Sequence, residues 1–440
     1  MPTVASAADS PRICVIGAGP CGLATVKTLL QAGLTDVVCY DESDSIGGNW
    51  VFSEDPKRIS VYESTHIISS KRMSSFDDFP MPEHYPDFPS HRQLLEYFRA
   101  YADAFDLRRY IKLGVRVDKA ELSDGRRWTL NIGGADGASE EIFDYLIVCS
   151  GHHREPYMPA YPGTFAGTIT HSSSYRRPAP FAGCNVLVVG SGNSASDIAV
   201  DISRVAKQTF LSMREGTYFI PKLMFGQPID TVYGFWRGKV PKALFQPVMR
   251  FALSMAIGRW EDYGLEAPTY GPLEKHPTLN SAVLEGLRHG RILARKGIAC
   301  YDGQFVQFVD GKREQIDMIV MGTGFRTSFP FLPPSTTGWD TTKPPPLYLK
   351  MMPERIGNLF FVGLFQPIGC IWQLADYQAQ IIASQIKGRL KRPPDIGARI
   401  QREMTKPHWP FRPSPRHAIE VDYHDFRREL LSELASAQSF

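Results

Sequence analysis

Three glycines, Gly17, Gly19 and Gly22, follow directly on the apolar run Ile13-Cys14-Val15-Ile16 and precede a stretch of helical character, Leu23–Gln31. A second apolar run, Val37–Tyr40, leads to the acids Asp41 and Glu42, and Asp41 stands 19 residues after Gly22. This spacing can hold a dinucleotide. Gly17 permits the tight turn, Gly19 lets the backbone approach a pyrophosphate, and Gly22 lets the helix pack close on the strand. The diphosphate would rest on the free N–H groups of the turn that carries Pro20 and Cys21. Asp41, with Glu42 beside it, would accept hydrogen bonds from a ribose. An acid there repels a 2'-phosphate, so the first site suits FAD or NAD over NADP. Adjacent glycines in Ile46-Gly47-Gly48-Asn49-Trp50 imply a second close backbone approach. Gly48 and Asn49 join the cofactor-binding candidates, as do Trp50, which could be core or could line a ring, and Val115.

The arrangement recurs further along. Val186-Leu187-Val188-Val189 reads as a buried parallel strand, and Gly190-Ser191-Gly192-Asn193-Ser194-Ala195 follows it. Ala195 stands where a third glycine is usual, a replacement the pattern tolerates. Asn193 and Ser194 bring polar side chains to the nucleotide. The second strand, Thr209–Met213, ends at Arg214 instead of an acid, 19 residues after Ala195. Arginine can grip a 2'-phosphate with its forked donors, provided that the neighbouring Glu215 points away. The chain thus reads as two nucleotide sites of opposite preference, FAD first and NADPH second. Hydride transfer between them needs both rings in fixed places.

Where the flavin's electrons go is narrowed by elimination. The seven cysteines, at 14, 21, 39, 149, 184, 300 and 370, contain no Cys-x-x-Cys pair, which argues against a dithiol centre and a zinc ribbon. They read as buried reduced thiols of a cytoplasmic protein, and no metal is expected. Quinone or ferredoxin reduction has no feature of its own.

The stretch Phe165-Ala166-Gly167-Thr168-Ile169-Thr170-His171-Ser172-Ser173-Ser174-Tyr175-Arg176 resembles the fingerprint of the flavin-containing monooxygenase family, and it lies between the two glycine motifs as in that family. Ile46–Trp50, Ser60-Val61-Tyr62, Ser69-Ser70-Lys71, Asp78-Phe79-Pro80, Cys149–His153, Met321–Phe325, Leu359–Gly369 and Asp376-Tyr377-Gln378-Ala379 also resemble it, and the likeness spans residues 12 to 426. The resemblance implies that NADPH reduces FAD, NADP stays bound, and oxygen forms a flavin C4a-hydroperoxide that a soft nucleophile attacks. An amine nitrogen or a thioether sulfur is the usual nucleophile, and a carbonyl substrate would give Baeyer–Villiger insertion instead. Tyr175, where relatives specialised in that insertion tend to carry Trp, favours heteroatom oxygenation. An NADPH oxidase and a nucleotide-binding regulatory protein stand as the alternatives.

His171 and Tyr175 are expected to fix the linker and order NADP, with proton transfer by His171 the lesser reading. The pair His152-His153 reads as structural. Gln366 and Pro367 are placed near the flavin ring by the resemblance. One departure stands out. Many members carry Asn immediately before the segment matching Ser69-Ser70-Lys71, whereas this chain has Ile68, which offers no donor or acceptor. His66 and Asn193 are the candidates to replace it, Asn193 being preferred. A second departure, Gly322-Thr323-Gly324-Phe325 where Ala-Thr-Gly-Tyr is usual, is expected to matter little.

The elements that must position these residues form an α/β fold: two Rossmann-like dinucleotide-binding domains, with the NADPH domain inserted into the FAD domain. The expected limits are 1–163 for the first part of the FAD domain, 164–290 for the NADPH domain and 291–440 for the return, through Ile316–Met321 and Leu359–Val362. A chain of 440 residues, 43% hydrophobic and 22% charged, suits two to three soluble domains. The 49 basic residues nearly balance the 46 acidic ones, so no nucleic-acid partner is indicated. The first ten residues have the composition of a frayed arm, not of a leader. Molecular oxygen and a small nucleophilic organic molecule are the expected partners. Residues 243–257 are apolar apart from Gln246, Arg250 and Ser254, which are spaced by four. The favoured reading is a helix packed across the domain cleft; a membrane-surface helix or a homodimer face are the others.

Overall fold

The computed structural model describes residues 10–134, 137–236, 242–340, 343, 345–405 and 419–437. The expected N-terminal arm lies largely outside them. The elements that build the two glycine motifs are β1 (Ile13–Ile16), α1 (Pro20–Gln31), β2 (Val37–Asp41), β3 (Ile111–Leu113), β4 (Tyr145–Val148), β5 (Thr168–His171), β6 (Asn185–Val189), α2 (Asn193–Ile202), β7 (Gln208–Ser212), β8 (Ile292–Arg295), β9 (Met318–Met321), β10 (Leu359–Phe361) and α3 (Ile371–Ile386).

These strands form two five-stranded parallel sheets. The first has the order β10-β4-β1-β2-β3 and the second β5-β9-β6-β7-β8. Strands buried on both faces must be apolar throughout, and β1, β4, β6, β9 and β10 are continuous hydrophobic runs for that reason. An antiparallel meander over Arg116–Ser123, Arg127–Gly134 and Gly137–Phe143 covers the first sheet, and its Trp128 is fully buried. On the opposite face α1 packs on α3, and the buried Lys27 reaches Asp78 at 2.8 Å and Asp376 at 2.9 Å. The expected two-sheet architecture stands.

One expected limit does not. β8 and β9 belong to the second sheet, β9 pairing with β5 and β6, so that sheet runs to Met321 and not to residue 290. Met318–Met321 is an apolar run that either sheet could take, and parallel pairing is decided by partners far away in sequence. The chain returns to the first sheet only at β10.

The helix Lys242–Ile257 also departs from its expected packing. Leu253 and Ile257 are buried, but Leu244, Val248, Phe251 and Met255 form an outward stripe, 55%, 55%, 68% and 73% exposed. Gln246 turns inward and donates to the Pro272 carbonyl. Arg250 and Ser254, the other two members of the expected polar stripe, are exposed.

The second glycine turn depends on a tight fit between β9 and α2. A methyl group on Gly322, directly after β9, would stand 2.6 Å from the Ala195 methyl. The two departures from the usual pattern are thus one compensated pair: the side chain gained at 195 occupies the space that glycine leaves at 322. The Gly322→Ala variant should lose about 1–3 kcal/mol of stability through overpacking. Adding Ala195→Gly should restore part of it, since the Ala195 Cα at 3.0 Å and the Val189 carbonyl oxygen at 3.2 Å still crowd the new methyl. Chemical denaturation midpoints of both single variants and the double would check this, and a neutral Gly322→Ala would refute the coupling.

Candidate functional site

The first glycine turn is built so tightly that side chains would destroy it. Gly17 has φ +106° and donates to the Tyr40 carbonyl at 2.8 Å; a methyl there would lie 2.7 Å from the Cys149 carbonyl oxygen. A methyl on Gly22 would lie 1.8 Å from the Gly17 oxygen. The Gly47 N–H bonds the Ala18 carbonyl at 3.1 Å, and a methyl on Gly48 would come within 3.1 Å of the Gly19 Cα. The turn at 46–50 therefore lies across the first, leaving a groove walled by bare backbone. Asp41 holds that wall: its carboxylate accepts from the Ala18 N–H at 2.6 Å and from the Ser43 N–H at 2.7 Å. Burial pushes its carboxyl up, and the two N–H groups oppose that shift. Each oxygen keeps acceptor capacity for a ribose.

The other candidates of the first unit fall into place around this groove. Pro20 opens α1, and the Cys21 sulfur turns inward against Gly363. Val115 donates its N–H to the Asp41 carbonyl at 3.0 Å. Glu42 lies on the surface beside Arg154 at 3.2 Å, and Asn49 accepts from the Val61 N–H. The Trp50 ring packs edge-on against Trp372 at 6.1 Å and against Phe98 at 6.5 Å. Ser150 follows Cys149, whose carbonyl backs Gly17. The Ser150 hydroxyl is buried without a hydrogen-bond partner among the described residues, and the buried His152 ring lies against the Gly363 backbone. Burial lowers the pKa of His152, so its ring is neutral. An orphaned hydroxyl beside a turn of bare backbone fits a bound dinucleotide.

The second turn repeats the construction. Gly190 has φ +133° and donates to the Ser212 carbonyl at 2.9 Å; a methyl there would meet the Gly322 oxygen at 2.3 Å. Gly192 precedes α2, Ser194 is exposed and Ala195 is buried. Asn193 grips the segment at 277–280: its Oδ1 accepts from the Leu279 N–H at 2.7 Å and its Nδ2 donates to the Pro277 carbonyl at 3.2 Å. One amide hydrogen and one lone pair remain for a ligand. Glu215 is taken by Lys275, and Arg214 is exposed with no ion pair among the described residues. A cation left free beside the glycine turn fits a phosphate.

Between the two cradles lies a joint that the sequence reading did not foresee. Asp197 and Asp201 stand one turn apart on α2. The Tyr62 hydroxyl donates to Asp197 at 2.8 Å and the Asn280 amide does so at 2.6 Å. The hydroxyls of Tyr175, at 2.7 Å, and Ser64, at 3.0 Å, both donate to Asp201. The Tyr62 and Tyr175 rings meet edge to face, 5.6 Å apart. The buried Arg176 gives its guanidinium to the carbonyls of Ser53, Asp55, Arg58, Ser173 and Tyr175. The available signal was a pair of acids at i, i+4 on the face of a helix that must otherwise be apolar.

The structure assigns positions to the catalytic candidates accordingly. His171 accepts from the Ser173 N–H at Nδ1, 3.1 Å away, and its Nε2 lies 3.0 Å from the Gly324 carbonyl. This pattern fixes a neutral ring with its hydrogen on Nε2, and burial lowers its pKa. Tyr175 is buried in the joint, its hydroxyl on Asp201. His66 is exposed, its Nδ1 3.0 Å from the Ser64 carbonyl, whereas Ile68 is half-buried. Gln366 and Pro367 pair in parallel with Glu420 and Val421.

The comparisons agree with this geometry. A family model described as flavin-binding monooxygenase-like matches residues 10–439. Flavin-containing monooxygenase 5 of Rattus norvegicus is 34% identical over 440 residues, 95% of this chain and 82% of that protein. Flavin-containing monooxygenase 2 of Homo sapiens is 34% identical over 453 residues, 98% of this chain and 83% of that one. Among solved structures, S-allyl-L-cysteine S-oxygenase from Allium sativum superposes with a TM-score of 0.71 at 23% identity, over 97% of this chain and 88% of that one. Cyclohexanone monooxygenase from Rhodococcus sp. Phi1, bound to NADP+, does so with a TM-score of 0.70 at 18% identity, over 98% of each chain. These two likenesses concern the fold. The chain belongs to the flavin-binding monooxygenase-like family and is an FAD- and NADPH-dependent oxidoreductase.

Proposed function

We propose that this enzyme transfers one oxygen atom from O2 to a soft nucleophile, an amine nitrogen or a thioether sulfur, at the expense of NADPH. Substrate, O2, NADPH and a proton give oxygenated substrate, water and NADP+. The observation that carries this reading is the pair of bare-backbone cradles in one chain, one edged by Asp41 and the other by the unpaired Arg214. When bound, FAD supplies the activation of oxygen and NADPH the two electrons. The chain's own residues bind, orient and enclose. Asp41 receives a ribose, Arg214 a 2'-phosphate, and Asn193 offers its remaining N–H to the nicotinamide side. His171 and Tyr175 act by position, holding the linker. The FAD domain comprises the first sheet, with residues to 163 and those from about β10 onward, and the NADPH domain the second sheet through Met321.

Two further points belong to this reading. All seven cysteines are unpaired, which suits a cytoplasmic setting. Among the described residues no helix is long and apolar enough to cross a membrane. The exposed stripe at Leu244, Val248, Phe251 and Met255 instead supports contact with a membrane surface or with a second copy.

The test is a rapid-mixing experiment on the FAD-loaded protein, reduced anaerobically with NADPH and then mixed with oxygen and an amine or a sulfide. N-oxide or sulfoxide formed in step with NADPH consumed supports the reading. Hydrogen peroxide in step with NADPH, with no oxygenated product, would make the protein an oxidase. Arg214→Ala should raise the Kd of NADPH roughly 10- to 100-fold, the worth of charge-assisted hydrogen bonds to a phosphate, and leave that of NADH nearly unchanged. Equal effects on both cofactors would remove Arg214 from the 2'-phosphate. Ile68→Asn should lower the share of NADPH lost as peroxide, and unchanged or increased leakage would show that the apolar residue is not its cause.

A further inference from the structure

A buried histidine and a buried glutamate meet between the two cradles. Residues 276–279 are laid directly on the second cradle: the Thr278 hydroxyl donates to the Ser191 carbonyl at 2.6 Å, and Asn193 holds Pro277 and Leu279. The first cradle is reached from the other side. Gly363 packs against Cys21, whose sulfur would stand 2.5 Å from a methyl there, and the His152 ring lies against the Gly363 backbone. Three residues on, Gln366 pairs with Glu420 in a short parallel ladder, and its N–H donates to the Ile419 carbonyl at 2.8 Å. Between these two supports His276 Nδ1 lies 4.0 Å from a Glu420 carboxylate oxygen, with the two side chains 9% and 1% exposed.

The reaction takes up one proton in each turnover, and the other titratable groups near the cradles are committed elsewhere. His171 is neutral and gives its Nε2 hydrogen to the Gly324 carbonyl. Burial keeps His152 and His153 neutral, His153 being pushed down to about 4. Asp197 and Asp201 are ringed by hydroxyl and amide donors, and Lys275 is held by Glu215. Facing His276 are Glu420 from the C-terminal strand and His152, with His153 beside it, from the loop after β4. Asp422, two residues beyond Glu420, accepts from the Tyr233 hydroxyl at 2.9 Å. An imidazole beside a carboxylate keeps a proton that a buried imidazole alone gives up, because the opposite charge offsets the loss of hydration.

We infer that His276 carries the proton that the reaction consumes, and that Glu420 is the positioning residue that keeps it there. The Nδ1–H stays toward Glu420. The Nε2–H bond breaks as an O–H bond forms on the oxygen that has received two electrons from NADPH. The imidazole keeps the electron pair of the broken bond, and solvent returns a proton before the next turnover. The inference rests on the oxygen chemistry proposed above.

The test uses the FAD-loaded protein, reduced anaerobically with NADPH and mixed with oxygen in weak buffer, where a pH indicator follows proton uptake. In the parent, uptake should be fastest at low pH and slow as pH rises through the His276 pKa, since only the protonated ring can give. His276→Gln should slow uptake on the order of 100-fold and abolish this pH dependence, as loss of a general acid does. Glu420→Gln should move the fall to lower pH by about one to three pH units, the effect of removing an adjacent opposite charge. Histidine NMR of the same variant should show the His276 titration displaced equally. FAD content and unfolding temperature report folding, and Glu420→Gln serves should His276→Gln fail to fold. The inference is overturned if folded His276→Gln keeps the parent's pH dependence, or if Glu420→Gln leaves the His276 titration in place. Hydrogen peroxide from the parent, in place of oxygenated product, would defeat the proposed function alone. NADPH, O2 and a proton giving NADP+ and hydrogen peroxide take up the same proton, so the variants still decide for or against His276.

Discussion

Two carboxylates one helical turn apart set the relation between the halves of this molecule. Asp197 and Asp201 lie on α2, the helix that starts at the second cradle, and accept hydroxyl donors from Tyr62 and Ser64 of the first unit. Tyr175, in the linker, completes the set. A buried carboxylate costs free energy unless donors surround it, so the sites cannot be left half-filled. The joint is therefore closer to a lock than to a contact surface. That suits a reaction in which a hydride must cross between two rings held by different domains, since misplacement by an ångström costs orders of magnitude in rate.

Arg176 reinforces the same relation with a different chemistry. Its guanidinium is spent on backbone carbonyls of residues 53–58 and of the linker, with the neighbouring acids left to others. Carbonyls at a loop are fixed acceptors, whereas side-chain carboxylates can swing away. Together with the His171 bond to Gly324, this stiffens the fingerprint segment by its own backbone. The residues that mark the family in sequence are here positioning residues, and the reacting groups would come from the bound nucleotides.

What was legible in the sequence is what is local. Each glycine turn, its strand, its helix and the acid or arginine at the next strand end lie within some thirty residues, and the 2.0 and 3.6 periodicities report them directly. The two sheets and their cofactors followed from that. The assignment of β9 to the second sheet was not legible, because an apolar four-residue strand carries no address. Nor were the partners of Asn193, which come from residues 277–279, or Tyr62 and Ser64, which reach Asp197 and Asp201 from more than a hundred residues upstream. His66 matched on strand parity as a replacement near Ile68, yet the chain there is irregular and the ring lies exposed against the Ser64 carbonyl. Parity arguments hold only inside a regular strand. The outward stripe on Lys242–Ile257 was hidden for a related reason: a helix apolar on most of its circumference does not say which side meets the core.

The fit between Ala195 and Gly322 also constrains how this sequence can have changed. An alanine at 322 would be crowded twice, by the Ala195 methyl at 2.6 Å and by backbone, the Ala195 Cα at 3.0 Å and the Val189 carbonyl oxygen at 3.2 Å, so glycine at 195 would open only part of the space. A larger residue at 322 is therefore easier to accommodate after 195 has become glycine than before, and neither order removes the crowding by backbone.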